Sequence, residues 1–413
     1  MTPYRFRLVS VIALLALLAF AVLAFGAVDH WALMIFEIGV FLLAAVWAFR
    51  LALGAAPAVW NPIYLPLGLV TAWIGLQYWL GWSVYRYRTA AEARKWLAFW
   101  LLFVIAAHVF SDPAIRRLFG RALVWLLFAV CVFGLVQSFT SPGLLYWSIP
   151  VPIGRIFGPF VNANHFAALL ELVTPTAALL VLREGEKRMI YAGVLLILLA
   201  AAVVGGSRAG VVLVGLETVI VLCAKAGKSR SGRAGQSHQR LWLAASALTV
   251  LLVLGGLVRV SDALTRRFEE EQPYQVRWTV VQVTWKLFLS RPWTGYGAGT
   301  FDQVYPSANP TDMGVFWPHA HNDPVQFAME WGMVGPVALG WILWLLLRRR
   351  WTEDQWLRAV LPVVTVLAHS WVDFPLQIPA VAAAWLLTMA MLPPAVTAEA
   401  AASPHLATAR SRT

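Results

Sequence analysis

Polar side chains that could move a proton are concentrated in one short stretch of an otherwise apolar chain. The segment HAHNDPVQFAMEWGMVG contains His319, His321, Asn322 and Asp323 directly before a long apolar run. The unperturbed pKa of histidine is about 6.5, so His321 is suited to take a proton from an attacking hydroxyl group. Asp323, or Asp373 in the segment HSWVDFPLQIP, could orient its ring. We predict a catalytic edge here, although His321 could also simply enter a helix that Asn322 caps.

Three arginines are candidates for binding a phosphorylated group. Arg155 lies in the segment RIFGPFVNANHFA, Arg208 in GGSRAG, and Arg277 near the start of a predicted amphipathic helix. Arginine is always charged and can hold phosphate oxygens with two parallel hydrogen bonds, so it can neutralise a diphosphate leaving group. Other interpretations stay open. Arg155 could contact lipid phosphates, GGSRAG could be a tight turn with an incidental arginine, and Asp373 could be a helix cap or an arginine partner.

The sequence offers few ligands for a metal ion. There is no D-x-D motif, and the early loop GAVDH contributes only Asp29. The HAH segment lacks a third histidine or cysteines at the spacing of a zinc site. Cys131 and Cys223 lie in apolar runs without C-x-x-C spacing, and we predict that both are core residues. The expected site therefore contains no metal and no cofactor.

The composition indicates a membrane protein. The 413 residues are 60% hydrophobic and include 22 tryptophans, and the mean hydropathy is +0.70. Apolar runs near 20 residues recur along the chain, which is the length a helix needs to cross a hydrocarbon core of about 30 Å. Strands of a membrane barrel would alternate apolar and polar residues instead. We interpret the formal net charge of +12 as a topology signal rather than as a nucleic-acid surface.

Twelve membrane spans are predicted, which makes the fold class all-α. The first run is counted as a span rather than as a cleaved signal peptide. Glu37, Glu171 and Glu217 fall inside spans, where they could be functional or could form structural pairs with buried polar groups. The predicted spans are 8–25, 31–49, 63–81, 95–110, 120–139, 164–182, 189–204, 207–224, 241–259, 325–347, 357–372 and 378–393.

The distribution of positive charge predicts an N-terminus in the cytoplasm. With that orientation 20 of the 32 lysines and arginines fall in inner segments, as the positive-inside rule requires. The strongest markers are the inner loops KAGKSRSGRAGQSHQR and RRRWTEDQWLR. The inner residues are Arg5, Arg7, Arg50, Arg116, Arg117, Arg121, Arg183, Lys187, Arg188, Lys225, Lys228, Arg230, Arg233, Arg240, Arg348, Arg349, Arg350, Arg358, Arg410 and Arg412.

The predicted spans divide the chain into five regions. Two outer segments, roughly 140–163 and 260–324, are unusually long, and long loops of this kind are often functional. In the second, Val276, Val280, Val283 and Leu287 have helical spacing, which favours an amphipathic helix on the outer membrane surface. The regions are helices 1–5 (1–140), helices 6–9 with the first long periplasmic loop (141–259), a periplasmic catalytic loop with an amphipathic helix (260–324), helices 10–12 (325–395) and a disordered cytoplasmic tail (396–413).

Four sequence blocks resemble those of a known family. His321 and Asn322, followed by nine residues, Gly332 and Gly335, fit the pattern H-N-x9-G-x-x-G. This pattern resembles the signature of the O-antigen ligase and O-antigen polymerase superfamily. RIFGPFVNANHFA, GGSRAG and RPWTGYGAGTF are similar to other blocks of that family, and the resemblance covers roughly 150–380. The two glycines are expected to let neighbouring helices approach closely.

The resemblance implies a GT-C-like glycosyltransferase of the bacterial inner membrane, with its active site on the periplasmic face. Such an enzyme moves a glycan from undecaprenyl diphosphate to an acceptor hydroxyl, with inversion and without a metal. The expected reaction is ligation of O-antigen to lipid A-core in lipopolysaccharide assembly. The family implicates Arg208, Arg277, His321 and Asp373. To these we add Arg155 for its position and charge, and His319, Asn322 and Asp323 as supporting residues.

Other functions remain open at this point. An O-antigen or exopolysaccharide polymerase would use a second lipid-linked glycan as acceptor, and an O-linked protein oligosaccharyltransferase would use a protein. A transporter of lipid-linked glycans would place polar residues at the membrane midplane, on broken helices in paired halves. The candidate residues of this chain lie instead near one face, and no internal repeat is visible. The expected partners are a lipid-linked donor, a glycan acceptor and membrane lipids, with no nucleic acid.

Overall fold

The structure is a computed structural model of the protein. It describes residues 2–151, 155–183, 185–226, 273–308 and 316–393, together with 255 and 396–397. These residues are mostly helical, as the all-α prediction requires. The first eight helices are α1 (Pro3–Leu23), α2 (His30–Ala52), α3 (Tyr64–Trp79), α4 (Arg86–Val109), α5 (Pro113–Thr140), α6 (Ala163–Arg183), α7 (Arg188–Gly205) and α8 (Arg208–Ala226).

These eight helices overlap the first eight predicted spans, although α4 begins at Arg86, well before the predicted start at 95. Five of them, α1, α2, α5, α6 and α7, are long and apolar enough to cross a membrane. Of the predicted span over 241–259 the structure describes only residue 255, so the count of twelve spans and the GT-C architecture stay predictions. Cys131 is buried, but Cys223 is exposed on α8. The prediction that both are core residues was wrong for Cys223, because the side of α8 that carries it faces away from the described helices.

Helix α6 is the central helix of the bundle. It contacts α5, α7 and α8, as well as two helices near the end of the chain. Its alanines and leucines are nearly all buried, because close neighbours surround it. With 21 residues it spans about 30 Å at 1.5 Å per residue. Its first turn therefore lies at one end of the bundle, and Arg183 lies at the other.

The distal end of α6 carries paired charges. Arg183 contacts the carboxylate of Asp354. Lys225, at the end of α8, lies 2.5 Å from Glu353 and 3.0 Å from Asp354. All these residues fall in segments that the charge distribution assigns to the cytoplasm, so the ion pairs gather the ends of α6 and α8 on one predicted face.

The predicted single span over 325–347 was wrong. The chain forms two helices instead, α11 (Asp323–Trp331) and α12 (Val334–Arg348), which follow α9 (Pro273–Ser290) and α10 (Phe301–Ala308). Gly332 separates them with a φ of +63°. A Cβ on Gly332 would lie 2.5 Å from the carbonyl oxygen of Trp293, so both the turn and the close approach require glycine.

Neighbouring segments satisfy the backbone at this break. The amide of Met333 donates to the carbonyl of Pro292 at 2.8 Å, and the indole of Trp73 donates to the carbonyl of Trp331 at 2.8 Å. Such partners are what a broken helix needs in an apolar environment. Gly335 fulfils the predicted close approach, because a Cβ there would lie 2.8 Å from the carbonyl oxygen of Phe327. The second glycine of the motif thus lets α12 pack against α11.

The predicted helix in the 260–324 segment is present as α9. Val280 and Val283 are buried and Leu287 packs against the same cluster, on the side that contacts α11. Trp278 and Trp285 are exposed on the other side. The helix therefore packs one apolar face on the protein and presents a second, aromatic face outward.

The last part of the described chain brings a further loop back to α6. A short helix (Glu353–Gln355) continues through a π-helical turn (Trp356–Val360) into α13 (Leu361–His369). The loop that carries Asp373 follows, and α14 (Pro379–Ala390) ends the bundle. Residues 396–397 of the predicted disordered tail instead form a two-residue strand with Val59–Trp60, and the rest of the tail lies outside the described residues. A second strand pair joins Leu144–Leu145 to Ile149–Pro150.

The topology can be tested with cysteine labelling. We expect a membrane-impermeant maleimide to modify Ser307→Cys in intact spheroplasts and to leave Ser231→Cys unmodified, since 260–324 is predicted to be periplasmic and 225–240 cytoplasmic. Ser307 lies in α10, whereas Ser231 lies outside the described residues. The background should carry Cys131→Ala and Cys223→Ala. Labelling of Ser231→Cys but not of Ser307→Cys would show that the predicted orientation is reversed.

Candidate active site

Six residues singled out from the sequence line one cavity of about 660 Å³. They come from the loop before α6, the start of α8, helix α9, the segment before α11 and the loop after α13. The cavity lies at the end of the bundle where α6 and α8 begin and α13 ends. We call it the arginine cavity, and its six residues are Arg155, Arg208, Arg277, His319, His321 and Asp373.

The GGSR turn places two of the arginines together. Gly206 ends α7 in the left-handed conformation, with a φ of +73°. The Nη1 of Arg155 donates to the carbonyl of Gly206 at 2.7 Å, and a Cβ on Gly206 would collide with the same guanidinium. The Oγ of Ser207 accepts from the amide of Gly210 at 3.1 Å and so caps α8, whose first residue is Arg208. The segment therefore forms the tight turn considered from the sequence, and this turn positions Arg155 as well as Arg208.

The loop before α6 is held against α5. The Nε2 of Gln137 donates to the carbonyl of Gly158 at 3.0 Å, and Phe157 packs where a side chain on Gly134 would collide with it. The carbonyl of Arg155 accepts from the amide of Ala163 at 2.8 Å. These contacts fix the loop at both ends, so that Arg155 faces the cavity beside the first turn of α6.

Three histidine rings surround Phe374. The ring centroids of His165, His319 and His321 lie 4.6, 4.5 and 4.8 Å from that of Phe374. These distances are typical of packed aromatic rings, and such packing restricts ring rotation. Phe374 therefore holds three imidazoles on one wall of the cavity, a role that no sequence pattern indicated.

Asp373 is the carboxylate next to His321. It is 1% exposed, and its Oδ1 lies 3.5 Å from the Nδ1 of His321 and 3.8 Å from the Nε2 of His165. The side chain of Asn164 donates to its Oδ2. Burial by itself raises the pKa of Asp373, but the interactions with His165 and His321 outweigh it and hold the pKa well below its ordinary value. Asp373 is thus a charged group between two histidines.

Asn322 and Asp323 hold the loop rather than line the arginine cavity. The Oδ1 of Asn322 accepts from the amide of Val325 at 3.0 Å, which confirms the predicted cap, and its Nδ2 donates to the carbonyl of Trp371 at 2.7 Å. The Oδ2 of Asp323 accepts from the amide of Leu376 at 2.9 Å. The alternative that Asp323 orients His321 was wrong, because its carboxylate points into the 370–376 segment. Both residues tie the histidine segment to the loop that carries Asp373.

The backbone of His321 is strained. Its φ is +53°, a conformation that non-glycine residues seldom adopt and that is found preferentially where function requires it. The ring of Trp317 lies edge-on at 5.5 Å, and the Asn322 cap fixes the following residue. The surrounding contacts therefore maintain a conformation that turns the imidazole toward the cavity.

His319 has a supporting place in the same segment. Its Nδ1 lies 3.2 Å from the Nε2 of Gln326, and the amide of Ala320 donates to the Oε1 of Gln326 at 3.0 Å. Burial, with a smaller contribution from the charge of Lys95, lowers the pKa of His319 to about 3. His319 is therefore neutral near pH 7 and acts as a hydrogen-bonding group.

Sequence reasoning missed four polar residues of this cavity, namely Asn162, Asn164, His165 and His369. Asn164 and His165 stand in the segment NANH just before an apolar run, and this is the signal that drew attention to HAHND. His369 lies at the end of α13, with its Nδ1 2.6 Å from the Oε1 of Glu171. Glu171 therefore forms one of the structural pairs considered from the sequence, and Glu37 forms another with Arg94.

Within the described ranges, no group of three or more histidine, cysteine, aspartate or glutamate side chains is arranged to hold a metal ion. Three arginines line the arginine cavity together with the His321–Asp373 pair. Chemically, such a cavity can bind a strongly anionic group and accept a proton beside it. Metal-independent chemistry stays a prediction.

Comparison with known proteins supports the resemblance seen in the motifs. Residues 193–339 match the family model described as O-antigen ligase. The matched stretch contains Arg208, Arg277 and His321, whereas Arg155 and Asp373 lie outside it. No curated protein matches the chain.

Proposed function

The match of residues 193–339 supports membership of the chain in the O-antigen ligase and O-antigen polymerase superfamily, and we propose that the chain is an inverting glycosyltransferase. It moves a glycan from undecaprenyl diphosphate to an acceptor hydroxyl on the periplasmic face of the bacterial inner membrane. The reaction we assign to it is ligation of O-antigen to lipid A-core. The observation that supports this proposal is the arginine cavity, in which three arginines and the His321–Asp373 pair meet.

The arginines would stabilise the diphosphate leaving group. When the acceptor oxygen bonds to the anomeric carbon, the bond from that carbon to the diphosphate oxygen breaks, and the electron pair leaves with the diphosphate. Arg155, Arg208 and Arg277 would neutralise the charge that develops there, which is a large contribution to catalysis in an enclosed site. A cavity of about 660 Å³ has the size of an ordinary small-ligand site. It fits a diphosphate with its first sugar, and the lipid chain would stay in the membrane.

The His321–Asp373 pair would activate the acceptor hydroxyl. The Oδ1 of Asp373 lies 3.5 Å from the Nδ1 of His321 and favours the tautomer that carries its proton on Nδ1. The Nε2 of that tautomer can take the proton of the acceptor hydroxyl as its oxygen attacks. Separations slightly longer than a hydrogen bond often shorten when substrate binds. Attack from the side opposite the diphosphate inverts the anomeric configuration.

We expect transfer to continue in the presence of EDTA. Three arginines supply the charge that a metal would otherwise provide, and both routes are known ways of stabilising a diphosphate. The measurement is the transfer rate of the purified chain with and without excess EDTA. A loss of transfer that magnesium or manganese restores would contradict the assignment of the leaving group to arginines.

The acceptor decides between ligase and polymerase. The purified chain would receive an undecaprenyl diphosphate-linked glycan with either lipid A-core or a second lipid-linked glycan. We expect a capped lipid A-core with an inverted anomeric linkage, and a gene deletion that leaves lipopolysaccharide uncapped. Elongation of the lipid-linked glycan would identify a polymerase, and loss of glycoprotein in the deletion strain would identify a protein glycosyltransferase. Failure of transfer to both acceptors, in a deletion strain that keeps its capped lipopolysaccharide and its glycoprotein, would refute the proposed function.

A further inference from the structure

A second cavity adjoins the arginine cavity. It has a volume of about 570 Å³ and shares with its neighbour the lining residues Val28, Pro318, His319 and Ile378. The histidine segment is therefore a wall common to both cavities. The opposite wall is the first half of α4, which lies outside the family match and largely before the predicted span over 95–110. We call this space the α4 cavity.

The charges of the α4 cavity are balanced. In the part of the chain that the structure describes, three lysine and arginine side chains line it, and each contacts a carboxylate. The pairs are Arg88–Asp302 at 3.1 Å, Lys95–Glu92 at 2.6 Å and Arg94–Glu37 at 2.5 Å. A cation that already has a carboxylate partner attracts a diphosphate weakly. The α4 cavity therefore suits an uncharged ligand better than a diphosphate.

Paired charges of this kind suit the hydroxyl groups of a sugar. Arginine and lysine offer only donors, carboxylates offer only acceptors, and a hydroxyl group can bond to one of each. Tyr87 and Phe316 also line the cavity, and each is 69% exposed. Their rings can cover the apolar face of a pyranose, since aromatic side chains combine a large apolar surface with a directional one. The cavity thus offers both kinds of surface that a sugar residue presents.

The floor of the α4 cavity is preorganised and joined to the histidine segment. Glu330 is buried and accepts from the amide of Gly299 at 2.9 Å and from the Nε2 of Gln326 at 3.0 Å. The same Gln326 contacts His319 at 3.2 Å. Lys95 is only 6% exposed. A ligand on this floor would therefore lie against the segment that carries His321.

We propose that the α4 cavity binds the acceptor, through an uncharged, hydroxyl-rich sugar residue at its end. This inference rests on the proposed function, because the donor must occupy the arginine cavity. The attacking hydroxyl would reach His321 past Pro318 and His319. The acceptor and the donor thus bind on opposite sides of the histidine segment.

The test separates acceptor binding from donor binding. The full chain, purified in lipid nanodiscs, would carry Arg88→Ala or Asp302→Asn. We expect the KM for lipid A-core to rise about tenfold, as for the loss of a hydrogen bond to a charged group. The affinity for undecaprenyl diphosphate should stay at the wild-type value, which also shows that each variant is folded. The matched control is Arg86→Ala, because Arg86 packs on the ring of Tyr78 at the start of the same helix, outside the lining of the cavity.

A charge exchange distinguishes ligand binding from a structural role. Arg88 and Asp302 join α4 to α10, so either single variant could act by loosening this contact. Arg88→Asp combined with Asp302→Arg restores the ion pair but moves its donors and acceptors. We expect the KM for lipid A-core to stay raised in the double variant. A return to the wild-type KM would show a structural pair and would overturn the proposal.

Two further outcomes separate the proposal from the proposed function. If the wild-type chain transfers glycan to lipid A-core and both single variants keep its KM, the α4 cavity is not the acceptor site, although the function stands. If the wild-type chain transfers nothing but binds free core oligosaccharide about tenfold more tightly than Arg88→Ala, the function fails and the saccharide site stands. Equal binding of the free oligosaccharide to both chains would refute the site by itself.

Discussion

His321→Ala is expected to reduce the turnover of glycan transfer by about 10²–10⁴-fold, the usual cost of removing a general base. Donor affinity should stay nearly unchanged, because the arginines hold the diphosphate. The prediction follows from the position of His321 in the arginine cavity, 3.5 Å from the buried carboxylate of Asp373, and from its strained backbone. The measurement is kcat for transfer alongside the Kd for undecaprenyl diphosphate.

Two companion variants sharpen this experiment. Asp373→Asn keeps the shape of the side chain but removes a charge that lies between two histidines, so it should lower kcat without changing donor affinity. Asn322→Asp retains an oxygen that can accept from the Val325 amide but loses the donor to the carbonyl of Trp371, so it should lower kcat by loosening the histidine segment. If His321→Ala shows full activity, the histidine segment is only the entry to a helix.

Arg208→Ala and Arg277→Ala are expected to weaken donor binding by about 10- to 150-fold, since a hydrogen bond to a charged group contributes about 1.5–3 kcal/mol. Arg277→Lys should also impair transfer, because lysine keeps the charge but cannot form two parallel hydrogen bonds to a phosphate. The measurements are the Kd for undecaprenyl diphosphate and the transfer rate for each variant.

Arg86→Ala is the control for these arginine variants, since it removes one positive charge near the same predicted membrane face without touching the arginine cavity. The opposite pattern is decisive. If His321→Ala abolishes donor binding while Arg208→Ala and Arg277→Ala leave it at the wild-type value, the roles of histidine and arginine are reversed.

Gly206 illustrates how closely the arginine cavity depends on its turn. Its left-handed conformation and its contact with the guanidinium of Arg155 exclude a side chain. From the sequence, GGSRAG was compatible with an incidental arginine in a tight turn. In the structure, the left-handed turn at Gly206 and its contact with the guanidinium together place Arg155 beside the first residue of α8.

Much of the helical architecture follows from the sequence alone. An apolar helix satisfies its own backbone hydrogen bonds, so hydropathy along the chain is enough to locate it. The first eight predicted spans coincide with helices for this reason. The Asn322 cap was equally predictable, because a cap depends on residues only three positions apart. The same local patterns marked six residues that line the arginine cavity.

Contacts between distant segments decided the rest. The break at Gly332 depends on carbonyl groups of Trp293 and Pro292, and local hydropathy around 332 contains no sign of them. The choice of Asp373 over Asp323 depends on which carboxylate faces His321 after folding. Asn164 contacts Asp373, 209 residues away in the sequence. Helices α4 and α10 are in contact through Arg88 and Asp302, which are separated by 214 residues. A helix in an apolar surrounding can be hydrophobic on every side, so the sequence located the helices, while packing alone decided which faces meet and therefore where the two cavities lie.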